Sequence, residues 1–243
     1  MAKLSASERI ICAVDTPDLA AAVNLAKALK GQVGFFKLGL EFFTAQGPEG
    51  LKKIQELGVP IMLDLKYYDI PNTVAGAVRA ASRLGVGMMT MHTGGSTDMM
   101  RAAVDAADSV AKETGKPKPK LLGVTVLTSL DDGDMSLLGL KQKTADRVKR
   151  LAELAQLNGL DGVVASPREL SLLREQKGKN FRLVTPGIRP AWANEAGDQK
   201  RVWTPADAIK EGADYLVIGR PITQAQDPKA AAKRVAEEIA AVL

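Results

Sequence analysis

Short apolar runs rich in Val, Ile, Leu and Met alternate along the chain with longer stretches in which apolar residues recur every three or four positions. A run of four to eight apolar residues bounded by turn residues fits a strand buried on both faces, and the 3.6-residue period fits a helix with one buried stripe. The pattern predicts eight strands, over residues 10–15, 34–40, 61–66, 88–93, 121–129, 162–166, 181–187 and 215–220. Eight helices are predicted in the gaps, over 17–29, 48–57, 73–84, 97–113, 144–157, 167–176, 205–211 and 228–243. Pro17, Pro48, Pro167, Pro205 and Pro228 stand at the first helical turn, where a missing N–H forfeits no intrahelical bond. Gly31, Gly58, Gly85, Gly115, Gly159, Gly178 and Gly212 stand just past helix ends, where a left-handed residue closes the last turn.

Strand, helix, strand repeated eight times in 243 residues implies parallel strands joined by right-handed crossovers. The predicted fold class is α/β: one (β/α)8 TIM barrel domain over residues 1–243, with its active site at the C-terminal ends of the strands. A doubly wound open sheet is the alternative. No Gly-x-Gly-x-x-Gly follows the first strand and no Gly-x-x-x-x-Gly-Lys occurs, so the nucleotide-binding forms of that sheet lack their signature. Residues 130–143 and 188–204, after the fifth and seventh strands, are too long for tight turns, and connections of that length commonly carry function.

Composition narrows the class further. With 46% hydrophobic and 25% charged residues the chain is globular, and it is long enough to bury a full core without metal or disulfide staples. One cysteine, Cys12, cannot form an internal disulfide, which points to a reducing compartment, the cytoplasm. No run approaches the ~18 apolar residues of a membrane span, and no signal-peptide pattern opens the sequence. The net charge of +5 gathers only at residues 116–120 and 141–150, read as solvated surface. With aromatics at 4%, a stacking platform for single-stranded nucleic acid is not expected.

The densest chemistry closes the third strand, Leu63-Asp64-Leu65-Lys66-Tyr67-Tyr68-Asp69-Ile70-Pro71-Asn72-Thr73. In an extended strand Asp64 and Lys66 share a face, about 6.6 Å apart, with Leu63 and Leu65 opposite. Asp15 ends the first strand and Lys37 lies inside the second. Buried charges are costly unless paired, so charges converging at one barrel mouth should alternate in sign. A structural salt-bridge cluster would use the same residues.

A second constellation suits an anion. The eighth strand runs into Gly219-Arg220-Pro221, and the seventh into Thr185-Pro186-Gly187-Ile188-Arg189. Glycine lets the backbone approach a ligand, arginine offers a forked cation, and phosphate sites in such barrels follow strands seven and eight. His92 and Cys12 are too few for a zinc site, and His92, at the end of the fourth strand, is equally readable as structural. Asp131, Asp132 and Asp134 depart from the EF-hand pattern and read as a polar turn.

The segment from Asp64 to Thr73 resembles the orotidine 5′-monophosphate decarboxylase family of bacterial type. So do Val124-Thr125-Val126-Leu127-Thr128-Ser129, the Thr185 to Pro190 segment, Gly197-Asp198-Gln199 and Ile218-Gly219-Arg220-Pro221. The resemblance implies conversion of orotidine 5′-monophosphate to uridine 5′-monophosphate and CO2, the last step of pyrimidine synthesis, with no metal and no cofactor. It implies a charged array of Lys37, Asp64, Lys66 and Asp69, with Lys66 the proton donor. It implies a homodimer in which Asp69 and Thr73 reach across to the neighbour's ligand. Asp15 and Lys37 would hold the ribose, Thr128 and Ser129 the pyrimidine, and Arg189, Gln199, Gly219 and Arg220 the phosphate end, with Pro186 also on the substrate. The partners implied are thus a small nucleotide and a second copy of the chain, with no nucleic acid and no membrane. A metal-dependent sugar-phosphate lyase or epimerase would share the barrel and Asp64-Leu65-Lys66 but need Mg²⁺. A nucleic-acid binder would leave Asp64 beside Lys66 unexplained.

Overall fold

The computed structural model describes residues 4–193 and 203–243. The strands among these residues are β1 (Ile10–Val14), β2 (Phe35–Gly39), β3 (Ile61–Tyr67), β4 (Met88–His92), β5 (Lys120–Val124), β6 (Gly162–Val164), β7 (Arg182–Thr185) and β8 (Tyr215–Ile218). The α-helices are α1 (Leu19–Leu29), α2 (Leu40–Gln55), α3 (Pro71–Arg83), α4 (Thr97–Thr114), α5 (Asp132–Leu137), α6 (Thr144–Leu157), α7 (Leu170–Lys177), α8 (Pro205–Lys210), α9 (Arg220–Thr223) and α10 (Pro228–Ala240). The strands follow one another from β1 to β8 in a closed barrel, the (β/α)8 class that the alternation predicts. The chain divides into two compact units, Met1–Asp64 with Gly187–Leu243, and Leu65–Pro186.

In the first unit, β1 lies parallel between β2 and β8, with Ile11 level with Phe35 on one side and Val217 on the other. Every β1 residue is buried, which is why it reads as an unbroken apolar run. α1 buries Ala22, Ala26 and Leu29, one stripe at helical spacing. Its start is set by Asp18, whose carboxylate accepts the N–H groups of Ala20 at 2.7 Å and Ala21 at 3.2 Å. The predicted start at Pro17 is therefore two residues early. α10 opens in the same way on Asp227, which accepts from Ala230 N–H at 3.0 Å.

In the second unit, β4, β5, β6 and β7 pair in parallel. α3 buries Val74, Val78 and Ala81, and α4 buries Met99, Ala103, Ala107 and Val110, so each turns one apolar stripe inward. Gly115 closes α4 in the left-handed region at φ 66°, donating its N–H to Ala111 O at 3.0 Å. All seven predicted capping glycines have positive φ.

Three differences from the predicted elements have local causes. The fifth strand ends at Val124 rather than residue 129: Thr125 still donates its N–H at 3.3 Å and its hydroxyl at 3.1 Å to Val164 O, but a turn then closes with Leu130 N–H on Leu127 O at 2.9 Å. α2 begins at Leu40 and is broken at Gly47 (φ 58°), so Pro48 opens only its second segment. Residues 130–143, predicted as a loop, contain α5. Asp131 accepts from Gly133 N–H at 2.8 Å and Asp134 N–H at 3.0 Å, while Asp134 accepts from Asp131 N–H at 3.0 Å. This is a reciprocal capping box with aspartate in the glutamate position, a shorter variant of the usual pattern. Asp132 in turn accepts the N–H and hydroxyl of Thr144 at 2.8 and 2.7 Å, tying α5 to α6 and lowering its own pKa.

The close packing of β6 on β7 depends on Gly162, where a Cβ would collide with the Arg182 carbonyl oxygen. Gly162→Ala is expected to destabilise the protein by about 1–3 kcal/mol in urea unfolding. An unchanged midpoint would show that the strand pair separates freely.

Candidate active site

The first unit brings together three of the predicted charges. Lys37 on β2 reaches Asp15, which follows β1, at Nζ to Oδ1 3.0 Å, and Asp64 on β3 at Nζ to Oδ2 3.6 Å. The Lys37 side chain is 12% exposed, that of Asp64 11% and that of Asp15 60%. An ammonium so far from water needs anions beside it, and the order Asp15, Lys37, Asp64 supplies them on both sides. β2 and β3 run in register with Gly39 level with Asp64. A Cβ at Gly39 would lie 3.2 Å from Lys37 Nζ and 3.6 Å from Asp15 Oδ1, so this glycine makes room for the ion pairs. The sequence reading passed over it, although a glycine at a strand end beside charges is a signal of close approach.

β3 continues into Leu65, Lys66 and Tyr67. Lys66 departs from extended backbone, with φ 50°. A left-handed conformation at a residue with a Cβ costs about 1–2 kcal/mol and persists only where neighbours impose it. Here Thr90 on β4 contributes: its hydroxyl oxygen accepts the Lys66 N–H at 3.0 Å, and its side chain is fully buried. The period-two argument for a shared face of Asp64 and Lys66 assumed unbroken extended backbone, which Lys66 does not keep. Thr90 was missed as well, though it is the one hydroxyl within the apolar run Met88–His92.

The other predicted residues are placed as follows. Asp69 is exposed in the loop after β3, and its carboxylate accepts Ile70 N–H at 2.6 Å. Tyr68 and Ile70 on either side are 62% and 66% exposed, and Thr73 on α3 is exposed too. The Tyr68 ring lies 5.5 Å from that of His92 at the end of β4, and its hydroxyl bonds Gly94 O at 3.2 Å. Thr128 and Ser129 are exposed in the turn after β5, and Pro186 follows β7 half-buried. Gly187 takes φ 76°, which favours glycine, and leads into Ile188 and Arg189. Gly219 caps α9, whose first residue is the exposed Arg220, so the predicted eighth strand ends two residues sooner than expected. Gln199 lies outside the described residues. Among the described residues no cluster of three or more His, Cys, Asp or Glu has metal-binding geometry, and no helix is long and apolar enough to cross a membrane.

Removing Lys37 takes the cation from Asp64, whose side chain is only 11% exposed. Lys37→Met is expected to cost about 3 kcal/mol in urea unfolding. Asp15→Asn, at the more exposed end of the same array, is expected to cost no more than about 1 kcal/mol. Equal effects would mean that the array is uniformly solvated.

Residues 8–235 match the model of the orotidine 5′-phosphate decarboxylase / HUMPS family. A curated protein of Paramagnetospirillum magneticum, named orotidine 5′-phosphate decarboxylase, is 53% identical over 95% of this chain and 97% of its own length. One of the same name from Moorella thermoacetica is 50% identical over 98% of this chain and 95% of its own. The crystal structure of orotidine 5′-phosphate decarboxylase from Lactobacillus acidophilus superposes with a TM-score of 0.83 at 38% identity, covering 95% of this chain and 98% of that one.

Proposed function

The chain belongs to the orotidine 5′-phosphate decarboxylase / HUMPS family, and on that footing we propose that it converts orotidine 5′-phosphate to uridine 5′-phosphate and CO2 with no metal or cofactor. The observation that carries the reading is Lys37 clasped by Asp15 and Asp64, on a strand that continues into the strained Lys66. Asp64 provides a fixed negative charge beside the substrate carboxylate. That like-charge contact is unfavourable in the bound substrate and is relieved as CO2 departs, so it lowers the barrier. The bond from the pyrimidine ring to the carboxylate carbon breaks, the electron pair stays on the ring carbon, and CO2 leaves. The Lys66 ammonium stabilises that pair and then donates a proton to the same carbon, after which solvent reprotonates the amine.

Asp15 and Lys37 hold the ribose, and Thr128 and Ser129 the pyrimidine. Arg189, Gln199, Gly219 and Arg220 serve the substrate's phosphate end, and Pro186 also meets the substrate. Phosphate binding, remote from the bond that breaks, supplies free energy that offsets the repulsion at Asp64. In this reading Asp69 and Thr73 act across a homodimer interface, completing the partner's array. Their exposure, and that of the flanking Tyr68 and Ile70, supports a second copy as the cover for this loop. The enzyme works in the cytoplasm, where Cys12, the chain's one cysteine, stays reduced.

The test is loss of orotidine 5′-phosphate ultraviolet absorbance with purified protein in EDTA. Rapid conversion is expected. No conversion, with activity on a pentulose phosphate once Mg²⁺ is restored, would move the chain to the metal-dependent relatives. Lys66→Ala is expected to cut turnover by more than about a thousandfold while uridine 5′-phosphate still binds. Arg220→Ala should lower kcat/KM about a hundredfold, equivalent to ~3 kcal/mol. Near-normal kcat in the Lys66 variant would contradict its role as proton donor.

A further inference from the structure

The stem of the long β7–α8 connection is held from outside by two residues of α10 that the proposed chemistry does not use. Arg189 donates its backbone N–H to Trp203 O at 3.0 Å, and Ile188 pairs with Trp203 in an isolated parallel bridge. These contacts join the two ends of the connection at the residue assigned to phosphate. Just beyond, a single 3-10 turn, Ala191–Ala193, carries Trp192. The Arg234 guanidinium of α10 lies 4.4 Å above the centre of the Trp192 ring, within cation–π range.

One helical turn further along α10, on the same face, stands Glu238. Its carboxyl interacts with the backbone of Ala191, with the backbone of Ala206 and with the Thr204 side chain. Ala191 opens the 3-10 turn on one side of the connection, and Ala206 lies in the first turn of α8 on the other. First-turn N–H groups have no acceptor within their helix, and the Glu238 carboxylate faces backbone on both sides of the connection. Thr204 caps α8 itself, accepting Asp207 N–H at 3.1 Å. Burial and the nearby Asp207 push the Glu238 pKa up, while these contacts oppose the shift.

We propose that Arg234 and Glu238 are positioning residues for phosphate recognition, fixing the stem of the β7–α8 connection so that Arg189 is set in place before the substrate arrives. The proposal rests on the assignment of Arg189 to the phosphate end. A stem ordered in advance does not lose conformational entropy on binding, so the phosphate contact delivers more of its free energy to the complex. A stem released from α10 would have to be ordered by the substrate itself. That loss falls on binding through the phosphate and leaves the proton transfer at Lys66 untouched.

The experiment compares the full-length enzyme with Glu238→Ala, Glu238→Gln and Arg234→Ala on orotidine 5′-phosphate, and measures uridine 5′-phosphate affinity by calorimetry. Glu238→Ala and Arg234→Ala are each expected to raise KM and the product's Kd about tenfold, with kcat within about threefold of the parent. Glu238→Gln keeps an oxygen acceptor for the two backbone donors and is expected to restore most of the loss. On orotidine, which lacks the phosphate, kcat/KM should be the same for all four proteins. Equal losses on orotidine and its phosphate, or unchanged KM in both alanine variants, would overturn the proposal. If Glu238→Ala fails to fold, Arg234→Ala and Glu238→Gln still decide it. No turnover by the unmodified chain would overturn the functional reading and this inference with it, whereas turnover with unaltered variants overturns the inference alone.

Discussion

An ammonium group with little access to water has to be neutralised where it sits, and Lys37 is neutralised by two carboxylates, Asp15 just past β1 and Asp64 within β3. That requirement links residues 15, 37 and 64, which no local sequence rule would connect. It also constrains the backbone around them. β2 must stand beside both β1 and β3 in the observed registers, and a Cβ at position 39 would crowd the Lys37 ammonium. The apolar packing behind the array, with β1 buried along its whole length and α1 and α10 turning one stripe inward, is what holds those registers.

The strain at Lys66 belongs to the same economy of position. A lysine in left-handed backbone is intrinsically disfavoured, and the contact between its N–H and the buried Thr90 hydroxyl is one of the interactions that hold it there. In the proposed reaction Lys66 donates the proton, and a donor whose backbone is set by a buried neighbour is presented in one place, with little reorganisation at the moment of reaction. The stem beneath Arg189 follows a similar logic at longer range. In both cases a residue assigned to the substrate is located by a partner that never touches it.

Much of the fold was legible because its signals are local. Helix starts at Pro205 and Pro228, the left-handed glycines after seven helices and the unbroken apolar strands each reflect a rule acting within a few residues. Where an element's bounds differ, a cap, a turn or a break a few residues long decides them. The fifth strand stops early because a turn closes between Leu127 and Leu130, and α5 forms because aspartate at 134 completes a capping box usually closed by glutamate. Asp15, Lys37 and Asp64 were legible as charges at strand ends, while Gly39, Thr90, Arg234 and Glu238 were not, since their roles exist only through distant partners.

Sequence alone determined the alternation of strand and helix, hence the barrel class, and it marked the charged and glycine-arginine segments by their residue types and spacing. Periodicity and capping are properties of neighbours along the chain, so they survive without any knowledge of the fold. Tertiary structure alone decided which carboxylates flank Lys37, that Lys66 leaves the extended region, and that α10 braces the stem under Arg189. Those are contacts between segments tens of residues apart, and their energies depend on distance and burial, quantities that only the packed chain defines.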